Sequence, residues 1–336
     1  MLWNDLKTLC RTPGVSGREG GIREVLRGMI APFADEVRVD RLGNLIAVRR
    51  GNPGGKRLMF CAHMDEIGFL VTFIEDSGMI RIAPVGGISF AAAAFSEVIS
   101  ERGVAGVLVP DSGAKEPTAD QHYIDIGAKD KKEAERRVRI GDFFVVRQGV
   151  TRLCGSRIAG RPLDDRIGCA VLLEIAREIA AGDFFGAHPV GDVIYVFSVQ
   201  EEVGCRGAAP AAFAEAPDYA LCFDVTRAQD TPGAVPGVCR IGGGAAIKIK
   251  DSSVICHEEV VALLRRVAEE EKIPHQTEIL LRGGTDTSAI QLAGAGCRAG
   301  AVSIPTRYIH SGVELCDLKD AEACVRLAVA FAANVE

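Results

Sequence analysis

Aromatic side chains are scarce in this chain, at 6% of its 336 residues, and that speaks against a cleft built to stack on sugars. No run of 18 or more apolar residues occurs, so no transmembrane helix is expected. The opening, MLWNDLKTLCRTPG, lacks the basic-then-apolar pattern of a signal peptide. No C-x-x-C occurs among the 11 cysteines, whose number is odd and whose spacing is scattered. In a long chain such cysteines read as reduced and cytoplasmic rather than disulfide-stapled. Cys61 and Cys222, inside strand-like runs, read as small buried hydrophobes. Basic residues are not in excess: 39 Lys and Arg face 45 Asp and Glu, for a formal charge of −6. That balance argues against nucleic acid or an anionic membrane as partner. No internal repeat and no low-complexity stretch is visible.

Core-forming residues are plentiful. Hydrophobic side chains make up 48%, ample for a buried core, and the length suggests two domains. SGREGGIREVLRGMIAPF predicts a helix with Ser16 as N-cap and Glu19 at the capping-box position. DEVRVDRLGNLIAVRRG reads as a hairpin turning at Gly43-Asn44, and RLMFCAH as a buried strand. After Val71 the texture changes to short β-like pieces separated by glycine and polar turns, with only KDKKEAERRV helical. This spacing predicts a small β barrel or sandwich, residues 71–160, inserted into an α/β domain made of 1–70 and 161–336. From Arg161 the α/β pattern returns. Ile167, Val171, Ile175 and Ile179 mark one face of a helix. DVIYVFSV, DYALCFDV and AGAVSIP read as strands covered on both faces. CHEEVVALLRRVAEEEK is an amphipathic helix. DLKDAEACVRLAVAFAANV closes the chain, with Asp317 as N-cap.

Titratable residues stand where predicted strands end. His63 closes RLMFCAH, and Asp65, two residues on, can hold its second ring nitrogen. Asp164-Asp165 precedes a helix, where the dipole favours negative charge and one carboxylate can bridge two cations. Glu201-Glu202 follows an apolar strand. Adjacent carboxylates point in different directions, so one can bind a metal while the other takes a proton from water. Asp224 follows ALCF, and His310 follows Tyr308-Ile309. Each alone reads equally as a cap, a surface group or a satisfied histidine. Together, at the carboxyl ends of one α/β sheet, they form a nitrogen/oxygen set of the kind zinc occupies. GGTDTSAI reads as a glycine turn with Thr285 or Asp286 capping a short helix. His122, His188, His257 and His275 are assigned to the surface.

AHMDEIGFLV, LDDRIG, QEEVGCRGA, FDVT, GGTDTSAIQLAGAG and SIPTRYIHSGVE resemble, in order and spacing, the co-catalytic metallo-aminopeptidases of peptidase family forty-two, the tetrahedral, glutamyl or deblocking aminopeptidases. The resemblance covers nearly the whole chain. It implies an α/β/α sandwich with a mixed sheet, of zinc-peptidase type, carrying an inserted PDZ-like β barrel used in assembly. It implies two divalent ions per chain, zinc or cobalt with manganese as a further candidate, bound by His63, Asp164, Glu202, Asp224 and His310. Asp164 would bridge them, Glu201 would be the general base acting on the shared water, and Asp65 would orient His63. A cis peptide is implied at Asp164–Asp165. Short peptides are the implied substrates, and homo-oligomers from dimers to tetrahedral dodecamers the implied assemblies. Cys205 departs from the pattern, standing where an aliphatic residue is usual, and Cys61 lies two before His63. Three other functions compete: a deacylase or deacetylase on the same metal site, an endoglucanase-labelled glycoside hydrolase, and a non-catalytic scaffold. A glycosidase needs two carboxyls and no metal, and a scaffold has no use for a base beside a ligand.

Overall fold

In the computed structural model, which describes residues 1–113, 117–147, 149–235 and 237–335, the apolar runs become the inner strands of one large sheet. Its strands are β1 (Glu36–Val39), β2 (Leu45–Arg49) and β3 (Leu58–His63), then, after an insertion, β10 (Gly149–Arg152), β11 (Arg157–Arg161), β12 (Val193–Ser198), β13 (Tyr219–Arg227), β14 (Ala245–Lys250), β15 (His275–Ile279), β16 (Arg298–Arg307) and β17 (Glu314–Asp317). The order is β1-β2-β12-β3-β13-β16-β17-β11-β10, with β14 on β16 and β15 on β14. The centre, β12, β3, β13 and β16, is parallel, and the flanks are antiparallel apart from the parallel β14–β15 pair.

Side chains alternate across a strand, so a strand apolar at every position is one covered on both faces. In β3, Leu58, Phe60 and Ala62 enter a core shared with helices Leu2–Leu9, Gly20–Ile30, Arg166–Ala180, Glu258–Glu270 and Leu318–Ala333. Met59 and Cys61 enter a smaller core beneath Ala208–Glu215 and Thr287–Gln291. β12 divides likewise, Val193, Tyr195 and Phe197 to one side, Ile194 and Val196 to the other. The result is an α/β/α sandwich with a mixed sheet. Asp165 and Asp317 cap the helices that follow them, accepting from Gly168 N and Lys319 N. No helix among the described residues is long and apolar enough to cross a membrane.

The insertion is a closed six-stranded antiparallel barrel of β4 (Gly68–Ile74), β5 (Ile80–Val85), β6 (Glu97–Ser100), β7 (Ala105–Pro110), β8 (His122–Asp125) and β9 (Phe143–Val146). Phe69, Ile80, Leu108, Ile124 and Phe144 fill it. Gly68 lets the chain enter, since a Cβ there would lie 2.6 Å from the Phe144 carbonyl oxygen. The barrel thus runs from 68 to 146. Residues 149–160, read from sequence as part of the insertion, pair instead with the large sheet through β11 and β17. Four- and five-residue strands alternate in the same way whichever sheet they join.

Three local expectations change. The first long helix starts at Gly20, with Glu19 at its N-cap and no side-chain cap. Ser16 does not cap it, because its hydroxyl donates to the buried Asp65 carboxylate at 2.6 Å, a stronger charge-assisted bond. The β1–β2 connection is built by Asp40, which accepts from the N–H groups of Leu42, Gly43 and Asn44. His122 is not at the surface. It is fully buried, packs on Phe90 at 4.6 Å between ring centroids, and places Nδ1 2.8 Å from the Thr118 carbonyl.

Candidate active site

Parallel strands leave their carboxyl ends on one edge of the sheet, where ligands bind in such folds. His63, Asp164, Glu201, Glu202, Asp224 and His310 line one cavity there of about 450 Å³. His63 is the last residue of β3. Asp164 lies between β11 and helix Arg166–Ala180, joined to Asp165 by a cis peptide. Asp224 stands inside β13, which continues to Arg227, and His310 lies three residues beyond β16. Glu201-Glu202 follows β12 in a loop held by Asn44, whose side chain accepts from Val199 N and donates to the Gly207 carbonyl.

The two imidazoles are aimed by their outer nitrogens. His63 Nδ1 is 3.2 Å from the Asp65 carbonyl oxygen and 3.4 Å from its Oδ1. His310 Nδ1 is 2.8 Å from the carbonyl oxygen of Gly87, which belongs to the barrel. Oxygens of these kinds only accept, so each Nδ1 carries a proton, and each Nε2, aimed into the cavity, offers a lone pair there once its own proton has left. A Cβ at residue 87 would lie 3.2 Å from that ring nitrogen, and glycine permits the approach.

Asp164 sits between these lone pairs. Its Oδ1 is 3.1 Å from His63 Nε2, and its Oδ2 is 3.2 Å from His310 Nε2. Glu202 Oε2 is 3.2 Å from the same His310 nitrogen, and Asp224 Oδ1 is 3.9 Å from His63 Nε2. Burial opposes a charge on Asp164, yet the bonds from His310 and His63 hold it well below the usual carboxylate range. Asp224 and Glu202 are pushed up, by burial first and by Asp164 next for Glu202, and by burial against the pull of His63 for Asp224. Glu201 is also pushed well up by burial. Glu202 Oε1 and Asp165 Oδ2 are buried without a partner among the described residues. Converging carboxylates, two imidazole nitrogens aimed at them and the orphaned Glu202 oxygen fit divalent cations, which satisfy all three at once.

Three further carboxylates brace the site, and of these only Asp65 was expected from sequence to do so. Asp65, fully buried, accepts from Glu201 N, Glu202 N and the Ser16 hydroxyl, so it ties the glutamate loop to His63. Glu314, also fully buried, accepts from Leu163 N, Asp164 N, His310 N and the Arg161 guanidinium. It therefore fixes Asp164 and His310 together, and burial pushes its carboxyl up to about 7. Asp286, expected as a helix cap, makes no capping bond. Its carboxylate turns inward to accept from the Ser198 hydroxyl.

The sandwich, the inserted barrel and the carboxylate–imidazole cavity together define a class of metal-dependent peptidases. The profile of the M42 glutamyl aminopeptidase family matches residues 43–327, and the chain belongs to that family. It is an aminopeptidase, a hydrolase acting on peptide bonds. Lysyl aminopeptidase of Pyrococcus furiosus is 36% identical over 345 residues, which cover 98% of this chain and 96% of that protein. The structure of an aminopeptidase from the archaeon Desulfurococcus kamchatkensis superposes with a TM-score of 0.93 at 36% identity, covering 99% of this chain and 94% of that one. The TET1 peptidase of Pyrococcus horikoshii, which can assemble into a tetrahedron or a large octahedral shell, superposes with a TM-score of 0.87 at 34% identity, covering 99% and 100%.

Proposed function

We propose that the chain removes N-terminal residues from short peptides with two divalent cations, zinc or cobalt first and manganese as an alternative. His63, Asp164 and Asp224 would hold one ion; His310, Glu202 and Asp164 the other. The observation that carries this reading is that the two oxygens of Asp164 each face Nε2 of a different histidine, at 3.1 and 3.2 Å. Bound there, the ions would supply Lewis acidity to the scissile carbonyl and lower the pKa of the attacking water. Glu201, whose carboxyl burial pushes well up, would take a proton from the attacking water and return it to the leaving amine. Asp65 keeps the His63 lone pair directed inward, and Glu314 keeps Asp164 and His310 in register. The free α-amine of the substrate needs a nearby anion or metal to hold it, which would confine cleavage to chain ends. The unpaired cysteines suit a reducing cytoplasm. The barrel, a separate closed unit, is assigned to homo-oligomer assembly, by analogy with the shell-forming neighbour.

The test is a panel of aminoacyl-p-nitroanilides, each with its N-acetylated counterpart. These are presented to metal-stripped protein restored in turn with zinc, cobalt or manganese. Free-amine substrates should be cleaved and acetylated ones spared. Cleavage of the acetyl group instead would make the chain a deacetylase, and turnover undiminished by stripping would remove the metals from the reaction.

A further inference from the structure

A second cluster beside the cavity uses none of the five residues assigned to the two ions. Glu201, Cys205 and Asp286 each offer one ligand atom, and those atoms lie within 4.8 Å of one another. Cys205 N–H bonds to the Glu201 carbonyl at 2.8 Å, and its φ of +52° folds the chain back. Its thiol thereby reaches Glu201 Oε1 at 3.1 Å. Asp286 arrives from the far side, at the start of helix Thr287–Gln291, and is 4% exposed. Ser198 donates to its Oδ2 and fixes the carboxylate. The other oxygen, Oδ1, is buried and has no partner among the described residues. Buried acceptors are almost always paired, and this one lies in a group with a carboxylate and a thiol.

We propose that Glu201, Cys205 and Asp286 form a third cation site, selective for thiophilic divalent ions such as zinc or cadmium, whose occupation switches the peptidase off. One sulfur and two oxygens suit soft and borderline ions and not magnesium or calcium. The Ser198 hydroxyl supplies the outer bond that such sites use to orient a ligand. Glu201 and Cys205 line the open cavity, so an ion has a path in. On binding, the Cys205 thiol proton leaves to solvent and the thiolate coordinates. Glu201, with its carboxylate engaged, no longer accepts a proton from water. Only the inhibition rests on the aminopeptidase reading; the binding site stands without it.

The experiment uses the full chain pre-loaded with cobalt and titrated with cadmium. Three quantities are followed: cadmium and cobalt per chain after gel filtration, the ultraviolet thiolate-to-cadmium charge-transfer band, and hydrolysis of an aminoacyl-p-nitroanilide. One cadmium should add without displacing cobalt, the band should grow with it, and turnover should fall by about 10²–10⁴-fold, the usual worth of a general base. Cys205→Ala and Cys205→Ser should each lose that band and that extra ion. Ser198→Ala should weaken cadmium uptake by about 10–100-fold. Cadmium that replaces cobalt, or a band that persists in both Cys205 variants, would overturn the third site. A cobalt-loaded protein that cleaves no substrate while still taking up the extra cadmium would overturn the aminopeptidase reading and leave the site standing.

Discussion

Glu201 and Glu202 are neighbours in different fields. Glu202 Oε2 faces His310, while Glu201 has the Cys205 thiol as its side-chain partner. Glu201→Gln keeps the shape and removes the basicity, so kcat should fall by about 10²–10⁴-fold with metal content unchanged. Glu202→Gln should lose metal first and regain part of its activity when metal is added. If elemental analysis finds the losses the other way round, the two roles exchange. His310 gives a pH signature. Burial opposes its charge, but the Asp164 and Glu202 carboxylates prevail and push its pKa up to about 11 without metal. A proton must therefore leave before a cation enters, and metal affinity should rise with pH across the neutral range. Titration calorimetry in buffers of different ionisation heat would count that proton, and a pH-independent affinity would remove His310 from the ligand set. The same pairs stabilise the metal-free fold fully below the unfolded imidazole's 6.5, and that contribution is lost as pH climbs through about 11. His63, Glu201 and His310 were legible in sequence because a charged or imidazole residue ending an apolar run is costly without a task. Asp286 and Glu314 were not. An inward-turned aspartate and a capping one look alike in GGTDTSAI, and Glu314 serves backbone groups 150 and 151 residues earlier.

Strands place these groups, and β3 is the most exacting of them. Phe60 stands three residues before His63, its ring 6.1 Å from Tyr195 and 5.9 Å from Phe223. Phe60→Ala should cost about 3–5 kcal/mol. Denaturant unfolding followed by far-ultraviolet dichroism should show a lower midpoint. An unchanged midpoint would mean that the neighbouring rings close the gap. The buried strands were legible as continuous apolar runs, and helix Arg166–Ala180 as a four-residue period. The ownership of residues 149–160 was not, since pairing partners distant in sequence decide it. The first helix's true start was hidden for a related reason: the partner that draws Ser16 away is 49 residues off.

At the scale of the molecule, the barrel is covalently an insertion and sterically a wall of the cavity. Wild-type protein should scatter light as a multimer, and a variant lacking residues 68–146 as smaller particles. A wild type that stays monomeric across a range of concentration would remove assembly from the barrel's duties. That deletion should also lower His310-dependent metal uptake, because Gly87 leaves with it. The barrel's existence was legible from its rhythm of short strands and turns; its reach into the site rests on one backbone carbonyl, which any residue possesses. That anonymity has an evolutionary consequence. The insertion cannot drift or be exchanged between relatives as a passive adaptor, because a graft that fits both seams but displaces residue 87 by an ångström would give a well-folded protein whose His310 has lost its anchor and whose active site is mute. Whatever else the barrel does, selection on the chemistry of the cavity therefore reaches into its loop at residue 87.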